Sequence, residues 1–183
     1  MAEETLSRIQ VRADGEYGSF YVLEGNQQCE DGTTRYWCEL TCNTSFGVVG
    51  YTWGHMGRPA AQFFAKSSAG YLLNKLWGPG YMVYDETTAR TALKEHLLRE
   101  RRDNDLSYSR ARELWDDLAD ADLDSEHAHV LFVYSDSYWT EIFTSGEGPD
   151  YKHQNRQATG FWKYLWPGFL AQLAQRAEVA ANG

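Results

Sequence analysis

The twenty residues 34–53, TRYWCELTCNTSFGVVGYTW, decide the fold class of this chain. Their first part places Tyr36, Cys38, Leu40 and Cys42 on one parity, which is the two-residue period of a half-buried β-strand. The part from residue 45 onward is a second β-rich run. Because the connection between them is so short, we expect the two strands to pair antiparallel.

The residues before this stretch continue the same pattern. Residues 8–12 alternate polar and apolar side chains, Asp14-Gly15 supplies a turn, and residues 19–24 form another β-rich run that ends at Gly25-Asn26. In the strand over 45–53, the internal glycines predict a bulge or a close approach by another backbone. The N-terminal part is therefore predicted to be a four-stranded antiparallel meander.

The hydrophobic period changes to that of helices after Pro59, which suits a first helical turn. Several helices are expected: one over 60–76 ended by Gly78, one from Thr87 or Thr88 to Arg102, one capped by Ser107 or Ser109, and one over 161–178 that Pro167 either kinks or starts. The apolar runs 128–134 and 138–143 admit one or two further strands, followed by a long loop over 144–157. Together these elements predict an α+β fold, and the length fits a single domain over residues 1–183.

Composition limits the class of protein. Hydrophobic residues make up 43% of the chain, enough for a core of its own, and the net charge of −9 disfavours direct binding to nucleic acid or to an anionic membrane. No apolar run approaches the length of a membrane span, and residues 1–5 do not read as a secretory signal. Three cysteines, Cys29, Cys38 and Cys42, read as reduced thiols, so we expect a cytoplasmic protein.

Charge polarity is the strongest local feature. Residues 90–112 contain seven Arg or Lys against four Asp or Glu, and residues 113–126 contain seven acids and no base. These acids are Glu113, Asp116, Asp117, Asp120, Asp122, Asp124 and Glu126. They are candidates for a surface that docks a protein partner, and the alternative is two solvated helix faces that partly neutralise each other.

The patterns that could hold a metal are incomplete. Asp120, Asp122 and Asp124 start like a calcium loop, but Ser125 and Leu131 stand where that loop needs Gly and Glu. His127 and His129 would share a face if they lay in a strand, yet a zinc site needs further ligands, and Cys38 and Cys42 are better read as buried small hydrophobes. No metal and no cofactor is therefore predicted.

The sequence offers little for catalysis and one candidate ligand corner. No nucleophile elbow and no phosphate-binding loop is present in the sequence, so no catalytic residue is assigned. The corner at residues 51–57, YTWGHMG, could face a ligand with Trp53 and His55, or Trp53 could plug the core while the glycines permit the turn.

Motifs after residue 46 resemble a family of small phage and prophage accessory proteins. They are Phe46-Gly47, Tyr51-x-Trp53-Gly54-x-Met56-Gly57, Phe63-Phe64, Tyr71-Leu72-Leu73-x-Lys75-Leu76, Arg99-x-x-Arg102, Ala111-Arg112-Glu113-Leu114-Trp115-Asp116-Asp117 and Leu165-Trp166-Pro167-Gly168-Phe169. The resemblance brings no catalytic residue with it. It implies a genetic context, a phage accessory protein made inside a bacterial cell.

Three functional hypotheses follow. The first is a non-enzymatic binding protein whose acidic surface docks on a host nucleic-acid-binding complex, as an inhibitor of a defence system of the anti-CRISPR or anti-restriction type. The second is a small enzyme acting on nucleotides or nucleic acid through His55, His127 or His129 with nearby carboxylates. The third is a phage structural or assembly factor. The oligomeric state stays open, a dimer included.

Overall fold

The chain forms two compact units in the computed structural model. The sheet unit consists of residues 1–81 with 155–183, and the helical unit consists of residues 82–154. The structure describes residues 3–182, and the side chains of residues 4–179. The single domain over residues 1–183 stays a prediction.

The sheet unit contains the predicted four-stranded antiparallel meander, with strand order β1-β2-β3-β4. The strands are β1 (Glu3–Ala13), β2 (Glu16–Gln28), β3 (Thr34–Thr44) and β4 (Gly47–Met56). Asp14 and Gly15 form the first turn with φ angles of 51° and 86°, the left-handed values that such a two-residue hairpin requires. The α+β class and the N-terminal meander are thus confirmed.

Two details of the sheet differ from the sequence prediction. Strand β2 continues to Gln28, past the glycine at which it was expected to end. The register irregularity sets Tyr36 and Cys38 of β3 opposite Met56 and Trp53 of β4, so the extra residue lies on β4 at Gly54 and His55 and not at Gly47 or Gly50. Gly50 does allow the expected close approach, because a Cβ there would lie 2.9 Å from the backbone oxygen of Leu40.

The described helices of this unit are α1 (Ala60–Lys66), α2 (Ala69–Trp77), α7 (Arg156–Tyr164) and α8 (Trp166–Asn182). One helix was predicted over 60–76, but the chain is extended at Ser67 and Ser68, where the Ser68 side chain accepts a hydrogen bond from the N–H of Tyr71 and so begins α2. Pro167 lies in the first turn of α8 and starts that helix. The core side chains of β1–β4 pack with those of the helices, for example Phe20 on Phe169.

The helical unit has its own apolar core, which includes Leu93, Leu97, Leu114, Leu118 and Trp139. Its elements are β5 (Met82–Tyr84), α3 (Glu86–Asp103), α4 (Tyr108–Asp120), α5 (Glu126–Ser135), α6 (Ser137–Ser145) and β6 (Lys152–Gln154). Strands β5 and β6 pair antiparallel as a two-stranded sheet.

The prediction of strands within 128–143 is wrong, since α5 and α6 occupy this segment. Each helix begins at a side chain that caps it: Ser125 accepts from the N–H of Ala128, and Asp136 accepts from the N–H of Tyr138. The α5 run is not buried as a strand of this composition would be, because Leu131 and Tyr134 are exposed.

Helix capping also corrects the start of α3. The cap is Asp85, whose carboxylate accepts from the N–H and the hydroxyl of Thr88, and not Thr87 or Thr88 as predicted. Helix α4 is capped by Ser107, which was one of the two predicted caps, the other being Ser109.

Candidate protein-docking surface

The net charge of the protein belongs to one of its two units. Residues 82–154 contain 17 of the 26 acidic residues and 8 of the 17 Arg and Lys residues. The helical unit therefore carries the whole excess of nine negative charges, and the sheet unit is neutral. The net charge of the whole chain does not show this difference between the units.

The seven acids predicted as a docking surface all lie in the helical unit, from the middle of α4 to the first turn of α5, and all seven are exposed. We call them the acidic surface: Glu113, Asp116, Asp117, Asp120, Asp122, Asp124 and Glu126. The structure thus places them on two successive helices and the connection between them.

Three members of the acidic surface are neutralised by ion pairs. Glu113 pairs with Arg110, Asp116 pairs with Arg112, and Glu126 pairs with Lys152. The other four form no ion pair with any described side chain: Asp117, Asp120, Asp122 and Asp124. Asp122 only accepts a hydrogen bond from the N–H of Asp124.

The end of α4 is an unfavourable place for these carboxylates. Asp117 and Asp120 stand in the last turn, where the helix dipole is negative, and no basic residue of α4 lies there. Arg90 of α3 compensates in part, because its guanidinium donates to the carbonyl oxygens of Leu118 and Ala121. The carboxylates thus occupy positions that neutral side chains would fill at a lower cost in stability.

A cleft of about 310 Å³ opens beside the acidic surface. Three carboxylates line it, those of Asp117, Asp120 and Asp136, together with apolar side chains that include Phe132 and Trp139. Carboxylates over an aromatic wall suit a lysine or arginine side chain, whose charge meets the oxygens while its aliphatic stem lies on the rings.

Asp136 is the most strongly held carboxylate of the cleft. Its side chain accepts hydrogen bonds from the guanidinium of Arg110 and from the N–H of Tyr138. Burial acts to raise the pKa of Asp136, but these hydrogen bonds and the positive charge of Arg110 outweigh burial and keep that pKa below its ordinary value. Asp136 is therefore ionised at neutral pH.

The candidate histidines belong to different units and differ in burial. His55 is exposed in the sheet unit, whereas His127 and His129 belong to the helical unit. His127 is exposed and His129 is buried, because residues two apart on a helix face different ways. Within the described part of the chain, no group of three His, Cys, Asp or Glu side chains could hold a metal ion.

Trp53 and His55, the candidate ligand corner, point to different surroundings. Trp53 is buried and its ring meets Tyr51, Phe63 and Phe64 edge-on. His55 is exposed on β4. The burial of Trp53 agrees with the interpretation in which this side chain fills the core and the glycines permit the turn.

Sequence reasoning missed a second polar cleft of about 580 Å³ in the helical unit, lined by His96, Arg99, Arg102 and Asp150 among others. His96 is buried: its Nε2 is 3.0 Å from the hydroxyl of Tyr138 and its Nδ1 is 2.7 Å from the guanidinium of Arg99. Burial lowers the pKa of His96 and raises that of Tyr138 to about 12. The helical period of α3 turns His96 inward, which was the signal available in the sequence.

These observations describe an α+β protein whose helical unit presents a concentrated acidic surface. Comparison with known proteins identifies its family. The model of a phage protein family matches residues 34–167, which is most of the chain, and the protein therefore belongs to this phage family. Neither the curated proteins nor the solved structures give a match to it. No helix among the described residues is long and apolar enough to cross a bilayer.

Proposed function

We propose that this phage protein is a non-enzymatic binding protein that inhibits a host defence complex of the restriction or CRISPR type. The acidic surface occupies the cationic groove in which such a complex holds nucleic acid. The observation that carries the proposal is the set of four exposed carboxylates without ion pairs, Asp117, Asp120, Asp122 and Asp124, at the end of α4 and beyond it.

Electrostatics supports this role. A solvated helix face needs no excess of one sign, and acids in the last turn of a helix reduce its stability. Charges that cost stability are expected where they serve binding, because a local negative field steers a basic partner and fixes its orientation. The cleft beside the acidic surface would receive one lysine or arginine of that partner, between Asp117 and Asp120.

Membership of a phage family supports a function inside an infected bacterium, where defence nucleases with cationic grooves are the adversaries of the phage. No specific observation favours the other two hypotheses. On α5, His127 is exposed and His129 is buried, so these two histidines do not face one substrate together.

The test is a charge reversal with a matched control. One variant combines Asp117→Lys, Asp120→Lys and Asp124→Lys, and the control combines three exposed acids of the same unit, Glu95→Lys, Asp103→Lys and Glu141→Lys. Both variants change the net charge equally, so a difference between them reports the place of the charges. DNA cleavage by a panel of purified restriction and CRISPR effector complexes is measured with each protein, together with its affinity for the complexes.

We expect the wild-type protein to inhibit at least one complex with an affinity that falls steeply between about 50 and 200 mM salt. The reversal at the acidic surface should weaken this binding at least about tenfold, and the control should weaken it far less. Equal affinity of the three proteins would reject the acidic surface as the binding site. A panel that the wild-type protein neither binds nor inhibits would reject the defence target.

A further inference from the structure

The outer face of the β1–β4 sheet presents a second interaction surface that the proposed function does not use. Ile9, Phe20 and Leu40 point inward and are fully buried, so the residues between them point away from the core. The half of the outer face near the Asp14–Gly15 turn consists of ten outward residues, which we call the tyrosine–arginine face: Arg8, Gln10, Arg12, Tyr17, Ser19, Tyr21, Thr41, Asn43, Val48 and Gly50.

Strand register joins each arginine of this face to a tyrosine. Arg8 is directly opposite Tyr21 and Arg12 is directly opposite Tyr17. The guanidinium carbon of Arg8 is 5.8 Å from the centre of the Tyr21 ring, within the range of a cation–π contact. The two pairs are four residues apart, which is about 14 Å along a strand.

The aromatic rings of this face are open to solvent. Tyr17 is 59% exposed and Tyr21 is 38% exposed, and the exposed side chain of Val48 lies on the same face. Gly50 leaves the surface beside Tyr21 and Thr41 flat, and the contact of its backbone with Leu40 keeps a side chain out of that position.

The ten side chains of this face carry a net positive charge, and the next outward carboxylate on β3 is Glu39, one row beyond Thr41. None of its ten side chains is a carboxylate, and neither Arg8 nor Arg12 forms an ion pair with any described acid. The sheet unit as a whole is neutral, because the negative excess belongs to residues 82–154. The net charge of −9, on which the sequence argument against nucleic acid rested, therefore does not describe the charge of this face.

We infer that the tyrosine–arginine face binds single-stranded nucleic acid. Tyr17 and Tyr21 stack on unpaired bases, Arg8 and Arg12 contact the phosphates, and polar side chains between them such as Gln10 and Asn43 reach base edges. Exposed aromatic rings on an open antiparallel sheet accept splayed bases, and stacking on them tolerates any sequence. A paired helix cannot offer its base faces to the two rings.

The experiment titrates the full chain into fluorescein-labelled oligothymidylate and oligouridylate of about 20 nucleotides, and into a duplex of the same length, followed by fluorescence anisotropy. The DNA and RNA arms identify which single strand is preferred. One variant replaces both arginines, Arg8→Ala with Arg12→Ala. Its control replaces two exposed arginines of the helical unit, Arg101→Ala with Arg102→Ala, and has the same net charge.

Two phosphate contacts predict a slope of log affinity against log salt of about −1.4, since each contact to a single strand contributes about −0.7. The Arg8/Arg12 variant should lose this slope and bind at least about tenfold more weakly, and the Arg101/Arg102 control should keep both. Replacement of Tyr17 and Tyr21 by Leu should weaken binding roughly tenfold for each ring, and replacement by Phe should not.

Each of the following results would overturn the inference. The first is the absence of any anisotropy change with either single strand at about 50 mM salt. The second is equal binding by the Arg8/Arg12 variant and its control, or tighter binding to the duplex than to the single strands. The third is a dimer in sedimentation that the Tyr17 and Tyr21 leucine variants dissociate, because the face would then be occupied by a second copy of this chain.

Discussion

Replacement of His129 by Phe should stabilise the helical unit and remove part of its sensitivity to acid. The imidazole of His129 is 1% exposed, and neither of its ring nitrogens has a hydrogen-bond partner among the described residues. Its ring stacks on Tyr151, with 4.5 Å between ring centres, and contacts Tyr84 and Phe143. An aromatic hydrocarbon matches this surrounding better than an imidazole does.

The sign of the pH effect follows from burial. Burial lowers the pKa of His129, and the nearby charge of Glu126 opposes this shift without reversing it. Above its unfolded pKa of about 6.5 the histidine is neutral in both states, so its titration does not change the free energy of unfolding there. Below about pH 6.5 the unfolded chain takes up a proton that the folded chain refuses, and the free energy of unfolding falls. The loss continues until the pH reaches the lowered pKa of the folded state.

The expected magnitude has two parts. At about pH 7.5 the free energy of unfolding of the His129→Phe variant should rise by on the order of 1 kcal/mol. A buried polar group without a partner costs about 1–3 kcal/mol, and steric crowding by the larger phenyl ring offsets part of this gain. Below about pH 6.5 the wild-type protein should lose up to about 1.4 kcal/mol per pH unit more than the variant, which is one proton of linkage. His96 remains in both proteins and its lowered pKa gives both a common slope of the same sign.

The assay is urea unfolding followed by tryptophan fluorescence and far-ultraviolet circular dichroism at several pH values from about 7.5 to 5.5. His127→Phe controls for the removal of a histidine, since His127 is exposed on the same helix and its replacement should change stability by less than about 0.5 kcal/mol. His129→Leu, a smaller apolar replacement, guards against crowding by the phenyl ring.

An unchanged pH slope in His129→Phe and His129→Leu would refute the reasoning, because the buried imidazole could not then be the group that refuses the proton. A loss of more than about 2 kcal/mol in both variants at neutral pH would also refute it, since it would mean that the ring nitrogens make a bond that the fold needs.

Two further predictions concern the sheet unit. Gly160→Ala should destabilise it by about 1–3 kcal/mol in thermal unfolding, since the new Cβ would lie 2.5 Å from the ring of Phe46, whereas Gly70→Ala, a helical glycine with nothing within 4 Å, should raise stability by up to about 1 kcal/mol. Equal effects of the two substitutions would contradict the packing around Gly160. In the folded protein a thiol reagent such as a maleimide should label Cys29 alone, because the two cysteines of β3 are fully buried and burial raises the pKa of both thiols. Rapid labelling of three thiols without denaturant would be the contrary result.

The sheet was predictable because its signals are local. The alternation around Leu40 and Cys42 indicates which face of the strand is buried, and Asp14-Gly15 indicates where the chain turns. Neither prediction depends on residues that are distant in the sequence. The position of the register irregularity was not predicted, because Gly47 and Gly50 were the expected places. It lies on β4 between Trp53 and Met56, which are three residues apart and both turn into the core, so the extra residue is at Gly54 and His55.

The helices α5 and α6 were missed because composition and capping disagree there. A run such as AHVLFVY favours a buried strand when it is judged by β-branched and aromatic content. Ser125 and Asp136 decide otherwise, each through one hydrogen bond to the first turn of its helix. The structure leaves Leu131 exposed, so the apolar run does not mark a core strand.

The features of the candidate site that were predictable are likewise those that depend on nearby residues alone. The exposure of the acidic surface followed from its charge pattern alone, because unpaired carboxylates are rarely buried. The environments of His96 and His129 depend on Tyr138 and Tyr151, which are more than twenty residues away in the sequence, and no local pattern announces those contacts. Sequence reasoning therefore found the surface groups and could not find the buried ones.

The division of charge changes what the net charge of −9 implies. If the excess negative charge were spread evenly over the surface, it would disfavour nucleic acid everywhere. In this protein the excess of nine negative charges belongs to the helical unit, and the sheet unit has no excess charge. At physiological salt the Debye length is about 8 Å, so the side chains nearest to a ligand dominate the field that it meets. The proposed complement of Asp117 and Asp120 is a basic protein groove, and the proposed complement of Arg8 and Tyr21 is a single-stranded nucleic acid. Each proposal is tested by variants of its own residues, so the failure of one leaves the other standing.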